Sequence, residues 1–262
     1  MIHHTSLINK KSKIDNSAEI GPYCTIGPHV TIGKNTKIYS HVNIQGNTNI
    51  GDNNEIFPFA SLGTSPQDLK YKGEKNYLII GDGNKIREYV HINPGTKQGG
   101  GITKIGNENL FMVYCHLAHD CIIGNNIVLA NNVQVGGHVT IEDNAIIGGS
   151  CAIHQFSKIG ELAMVGGMTG VLSDIIPYGL SWGNRNNLFG INLVGLRRKK
   201  ICNNNIKIIQ KSYEIIFENQ EFKKNIEKLP VKFRNNIYVD KIIKFINKSK
   251  KRPLALPIYE HK

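Results

Sequence analysis

No stretch of this chain carries the roughly 20 consecutive apolar residues that a bilayer-spanning helix needs, so stable membrane insertion is not expected. Cysteine is scarce and isolated. Cys24, Cys115, Cys121, Cys151 and Cys202 form no C-x-x-C pair, and free thiols in a reducing compartment are the expected state. The first residues, Met1-Ile2-His3-His4-Thr5, lack the charged-then-apolar layout of a secretory signal, which makes a cytoplasmic protein the expectation. Acidic residues are missing from one region: residues 178–262 hold 19 Lys/Arg against 6 Asp/Glu, whereas 1–177 hold 13 against 14. The net charge of +12 therefore sits in the C-terminal third. Such a surface would attract nucleic acid, membrane or an acidic protein, or it reflects drift towards Lys, Asn and Ile.

What is abundant is a period of six. Stepping from Ile2 gives Ile8, Ile14, Ile20, Ile26, Ile32, Ile38, Ile44, Ile50, Ile56 and Leu62 without a miss, then Ile80, Ile86 and Ile92. One residue out of phase, it runs again from Ile105 and Phe111 through Leu117, Val135 and Ile153 to Val171. All 26 positions are aliphatic except one Phe. Four residues after each lies a mostly small residue (Ala18, Cys24, Thr36, Cys115, Cys121, Ala145, Cys151), and directly after it often a glycine (Gly33, Gly51, Gly148, Gly160).

Alternate residues of a strand share a face, so the large and the small position both point inward. Six residues supply a short strand and a bend, with glycine expected to provide the corner conformation. Three such units close a triangular coil of 18, and neighbouring coils stack about 4.8 Å apart. Residues 1–177 are thus expected to form a parallel β-helix prism. Two interruptions, 63–79 and 93–104, are rich in Gly, Pro and polar residues and read as extruded loops. After Ile176-Pro177 the spacing turns helical: Ile206, Ile209, Tyr213, Ile216 and Phe217 share a face, as do Ile237, Ile242, Ile243 and Phe245 less regularly, and Leu188–Leu196 reads as the start of a helix. Residues 178–262 are expected to be a basic helical domain covering one end of the prism.

Histidines concentrate where the coils are most regular. Leu117, Val135 and Ile153 are 18 apart, so His119, His138 and His154 fall along one edge of three successive coils, in a groove about 10 Å long. Asn93 precedes them and His116 lies just before that edge. Histidine titrates near pH 7 and suits proton transfer. Two other readings stay open at this point: solvated surface histidines, or a metal site through the H-x-x-H pair His116 and His119.

The [LIV]-G-x-x-[small]-x pattern resembles the hexapeptide-repeat acyltransferase superfamily. An ordered set of motifs narrows this: Gln67-Asp68-Leu69-Lys70-Tyr71, Gln98-Gly99-Gly100-Gly101, His116-x-x-His119-Asp120, Gly136-Gly137-His138, His154-Gln155-Phe156 and Gly195-Leu196-Arg197-Arg198. Together these are similar to the UDP-N-acetylglucosamine O-acyltransferases of lipid A synthesis, over nearly the whole chain and most weakly after about residue 200. The resemblance implies a left-handed coil, a homotrimer with active sites between subunits, and transfer of an (R)-3-hydroxyacyl chain from acyl carrier protein to the glucosamine 3-hydroxyl of UDP-N-acetylglucosamine. It implies no metal and no resident cofactor, since 4′-phosphopantetheine enters on the carrier. It makes His119 the general base, Asp120 its orienting partner and Gly137 the oxyanion donor. It gives Asp68 and Lys70 to the sugar and phosphate from a neighbouring subunit's loop, and His116 and His138 to the sugar. It assigns His154 and Gln155 to the nucleotide side, and Asn192 and Arg198 to the nucleotide and its phosphates. Gly167 and Arg185 would set the acyl end.

Departures from the family pattern stand at Asn93-Pro94, Val194 and Arg185. The sister enzyme that N-acylates the acylated sugar is the nearest competitor; it carries an extra N-terminal domain, whereas the repeats here begin at Ile2. A non-catalytic β-helix scaffold is the other. The basic rim, including Lys199, Lys200, Lys250 and Lys251, is expected to attract the acidic carrier rather than nucleic acid.

Overall fold

In the computed structural model, residues 1–249 and 251–257 are described. Among them, three sheets of nine, eight and ten strands form the faces of a left-handed parallel β-helix. Successive strands step from face to face, so each strand pairs with the one a full coil later: Leu117 with Val135, Val135 with Ile153. The period of six produces this directly. Every core position from Ile20 to Val171 in the six-residue series is buried.

The corners differ from expectation. The glycine after each aliphatic is not the residue that turns the chain. Left-handed φ falls instead two residues further on, at Asn35 (53°), Asp120 (61°), His138 (60°) and Phe156 (69°). Glycine is needed for a different reason, the close approach of the next coil. A Cβ on Gly148 would lie 2.4 Å from Gly167 N, and one on Gly160 2.3 Å from Pro177 N.

Asparagine runs through part of the interior. Asn54 Oδ1 accepts from Asn84 N (2.9 Å) and Asn84 Nδ2 (3.0 Å), and Asn84 Oδ1 accepts in turn from Asn109 N (3.0 Å) and Nδ2 (2.9 Å). Each amide also donates to a backbone carbonyl across the corner, at Gly81, Gly106 and Gly124. These are small inward positions filled by fully satisfied polar groups.

The loops are shorter than expected, because pairing recaptures the chain sooner. Tyr77–Ile80 and Ile102–Ile105 are four-residue strands in mutual register, which leaves 63–76 and 93–101 outside the ladder. Both leave from the same edge, after Leu62 and after Ile92, where the nine-stranded face turns into the eight-stranded one.

Beyond Pro177 the prism continues before the helices start. Gly179–Trp182 adds in parallel to the strand Met164–Val165 and turns back antiparallel into Asn187–Ile191, with Gly183 at φ 103°. The expected helix over Leu188–Leu196 is therefore half strand, and α1 spans Leu193–Arg198. The other helices are α2 (Asn203–Ile216), α3 (Phe222–Lys228), α4 (Val231–Arg234) and α5 (Ile237–Lys248). Ile206, Ile209, Ile216, Ile242 and Phe245 are buried among them, whereas Ile237, at the start of α5, is 67% exposed. Contacts of Lys241 with Glu161 and of Lys158 with Lys248 O tie α5 to the last coils.

Replacing Asn84 by Ala strands Gly106 O and one acceptor site of Asn54 in the interior, and is expected to destabilise the protein by about 2 kcal/mol or more. A urea unfolding midpoint unchanged from wild type would contradict the ladder's role.

Candidate active site

The edge that ejects both loops also presents the corner pairs of the next three coils: His119-Asp120, Gly137-His138 and Gln155-Phe156. Corner stitching fixes their spacing. His138 N–H donates to His119 O at 2.9 Å and Phe156 N–H to Gly137 O at 3.0 Å. The His119 and His138 rings meet edge-to-face at 5.0 Å, and His138 stacks on Phe156 at 4.5 Å.

Asp120 is the centre of the arrangement. It is 5% exposed, and its oxygens accept from Thr96 N (2.8 Å), Thr96 Oγ1 (2.7 Å) and His119 Nδ1 (2.8 Å). Its own N–H donates to Thr103 Oγ1 at 2.8 Å. Burial alone pushes this carboxyl up, but the hydrogen bonds from His119 and Thr96 outweigh it and hold the group below its ordinary range. A carboxylate only accepts, so Nδ1 of His119 carries the proton and Nε2 keeps a free lone pair. That edge of the ring faces Gly137: a Cβ there would lie 2.8 Å from Nε2 and 2.7 Å from Cε1. Among the described residues the Gly137 N–H donates to nothing. A base and an unused backbone donor thus lie side by side.

The opening is a cavity of ≈ 530 Å³ lined by Asp68, Lys70, Gln98, Gly99, His119, His138, Gln155, Phe156 and Lys251. Asp68 and Lys70 line the same cavity as the His119 of their own chain. The two loops brace each other to put them there: Glu74 Oε1 accepts from Lys97 N at 3.2 Å, and Asn76 Nδ2 donates to Gly95 O at 2.9 Å.

Other expected residues lie elsewhere. His116 faces the nine-stranded sheet with its ring on His91, Nδ1 to Nδ1 at 3.0 Å, and His91 Nε2 is 3.0 Å from Thr64 Oγ1. Asn93 is fully buried and donates to Thr64 O (3.1 Å) and Ser65 O (3.0 Å), holding the first loop. His154 is exposed and engages Arg252. Asn192 caps α1, accepting from Gly195 N at 2.9 Å and donating to Leu162 O at 2.9 Å. With Arg198 it lines a separate, largely apolar cavity of ≈ 690 Å³ over the ten-stranded face. Gly167 is exposed at the corner leading out of that face, and Arg185 is exposed on the turn between Trp182 and Asn187. Lys250 lies outside the described residues.

Sequence reasoning gave no site role to Thr96 and Thr103, which orient Asp120, or to Phe156, and it placed Lys251 in the basic rim rather than in the cavity that it lines. Thr96, Thr103 and Phe156 stood within or beside the ordered motifs; nothing local marked Lys251. His119, Asp120 and His138 could together hold a cation, since one donor atom from each lies within 4.8 Å of the others. Such an ion would displace the Thr96 and His119 donors that already occupy the Asp120 oxygens.

Comparison with known proteins places the chain among close relatives. A family profile described as UDP N-acetylglucosamine O-acyltransferase, domain 2, matches residues 174–255, and one for bacterial transferase hexapeptide repeats matches 102–137. The acyl-(acyl-carrier-protein)–UDP-N-acetylglucosamine O-acyltransferase of Nautilia profundicola is 47% identical over 76% of this chain and 77% of its own. Two solved structures are close relatives. The UDP-N-acetylglucosamine O-acyltransferase of Moraxella catarrhalis superposes with a TM-score of 0.93 at 42% identity, over 97% of this chain and 99% of that one. The UDP-N-acetylglucosamine acyltransferase of Francisella novicida gives 0.94 at 35% identity, over the full length of both.

Burial, with a smaller contribution from His91, pushes His116 down from 6.5 to about 4. The folded state therefore favours the neutral ring. That stability is present in full above about pH 6.5 and is lost as pH falls towards 4. Unfolding midpoints measured from pH 7 to 4.5 should fall less steeply in His116→Gln than in wild type; parallel curves would refute this.

Proposed function

The chain belongs to the UDP-N-acetylglucosamine O-acyltransferase family, and on that premise we propose that it moves an (R)-3-hydroxyacyl chain from acyl carrier protein to the glucosamine 3-hydroxyl of UDP-N-acetylglucosamine, the first step of lipid A synthesis. The observation that carries the reading is the chain Thr96–Asp120–His119 ending beside Gly137, whose N–H has no acceptor among the described residues.

In this reading the sugar hydroxyl loses its proton to Nε2 of His119 as its oxygen attacks the thioester carbonyl. The imidazolium that forms is stabilised by Asp120, already ionised and held in place by Thr96. Charge on the former carbonyl oxygen is taken by the Gly137 N–H, a kind of donor typically worth about 3–4 kcal/mol. Collapse breaks the C–S bond, and the proton on His119 passes to the leaving thiolate. No acyl-enzyme is required: no Ser or Cys lines the cavity, and Cys115, Cys121 and Cys151 are buried with their thiols pushed up by desolvation. The reaction needs no resident cofactor, the pantetheine arm arriving on the carrier.

We also propose a homotrimer. Asn192, Arg198, Gly167 and Arg185 stand on other faces of the same chain from His119, so a site that uses all of them must be assembled from more than one copy. The exposed Lys199 and Lys200 beside that second cavity offer the acidic carrier a positive approach. No helix among the described residues is long and apolar enough to cross a membrane. Action in the cytoplasm is part of the proposal.

Acyl transfer from acyl carrier protein to UDP-N-acetylglucosamine, followed with labelled sugar nucleotide, tests the reading. His119→Ala should leave folding and assembly intact and lower kcat about 10²- to 10⁴-fold. His154→Ala should be milder, acting on substrate binding as well as turnover. Near-wild-type turnover in His119→Ala would remove the base from this histidine.

A further inference from the structure

Residues 251–257 cross the active edge as a strap. It is pinned on the prism by three hydrogen bonds: Asp174 N–H to Pro253 O (2.7 Å), Ala255 N–H to Asp174 O (2.8 Å) and Leu188 N–H to Leu256 O (2.8 Å). Just upstream, Arg252 Nε donates to Gln155 O at 3.0 Å and its guanidinium meets the His154 ring. This anchoring leaves Lys251 little choice of place. Its ammonium lies 4.6 Å from the Phe156 ring centroid, over the ring that stacks on His138, and its side chain lines the cavity with Asp68, Lys70 and His119.

The charges there do not balance. No carboxylate among the described residues forms an ion pair with either Lys251 or Lys70. Among the described residues Asp68 is the one acid lining the cavity, and Asp120 is spent on Thr96 and His119. Two ammonium groups held over a partly enclosed cavity, one of them steadied by an aromatic face, form a receptor for an anion.

We propose that Lys251 binds a phosphoryl group of a substrate at the rim of the His119 cavity, and that Arg252 is the positioning residue that holds it there. This rests on the acyl-transfer reading, in which both substrates carry such a group: the diphosphate of the sugar nucleotide and the phosphodiester of the carrier's pantetheine arm. A lysine suits either, because it acts as a point charge without a demand for planar geometry.

The test uses the full-length chain and two variants, Lys251→Met, which keeps the stem over Phe156, and Lys251→Arg, which keeps the charge. KM for UDP-N-acetylglucosamine and for the carrier thioester are measured separately, alongside calorimetric Kd values for UDP and for free 4′-phosphopantetheine. Lys251→Met should raise one KM about tenfold and the Kd of the matching fragment equally, with kcat changed by less than about threefold. Lys251→Arg should recover most of the loss. The substrate whose KM moves identifies the source of the phosphoryl group. Both KM values within about twofold of wild type, or the same loss in the Arg variant, would overturn the assignment. If the wild type transfers no acyl group yet binds UDP or 4′-phosphopantetheine, weakened binding of that fragment in Lys251→Met upholds the phosphoryl site while the reaction assigned above fails; unweakened binding overturns the site as well.

Discussion

The hydrogen-bond ladder between one coil and the next is the constraint on which everything else rests. It fixes a separation of 18 residues between stacked positions along uninterrupted coils, and it is renewed at the corners as well as along the faces, as His138 N–H to His119 O shows. A side chain three places past a core aliphatic therefore sits over its counterpart in the neighbouring coil. That is how Asp120, His138 and Phe156, far apart along the chain, come to form one column. The rigidity of the column matters for chemistry, because proton transfer needs the base and the oxyanion donor held in fixed relation.

Electrostatics at this column depend on the loops. A carboxylate as buried as Asp120 would protonate if left to desolvation alone. Its ionised form survives because His119 Nδ1 donates to it and Thr96, from the second loop, gives it both an amide and a hydroxyl hydrogen. The aspartate in turn sets the tautomer of His119. In the mechanism proposed above the second loop is thus part of the acid–base apparatus, and the first, braced on it through Glu74, contributes Asp68 and Lys70 to the same cavity.

Much of this was legible in the sequence because six-residue periodicity maps onto geometry without intermediate assumptions. Ile20 through Val171 could be placed inside the prism, and His119 and His138 on one edge of it, by counting alone. Other features involve partners that the repeat does not encode. The need for glycine at 148 and 160 arises from the backbone of the adjacent coil, so periodicity gave the residue but the wrong reason for it. The hairpin of Gly179–Trp182 and Asn187–Ile191 pairs with the prism only once the preceding coil exists, and helix-like spacing at 188–196 concealed it. Counting set Asn93 just ahead of the histidines on that edge but could not show that its Nδ2 holds Thr64 and Ser65 of the first loop. Lys251 reaches the cavity through a long return of the chain that no local pattern announces.

Both insertions interrupt the coils at one edge and leave the pairing on either side undisturbed: Ser61 still meets His91, and Tyr77 still meets both Asn47 and Ile102. Length at that edge is consequently decoupled from the scaffold. A lineage could lengthen, shorten or rewrite either insertion and reshape what enters the cleft, while the inward aliphatic register that specifies the prism stays untouched. Such modularity confines evolutionary experiment to the side of the molecule where chemistry happens, and shields the architecture from its failures.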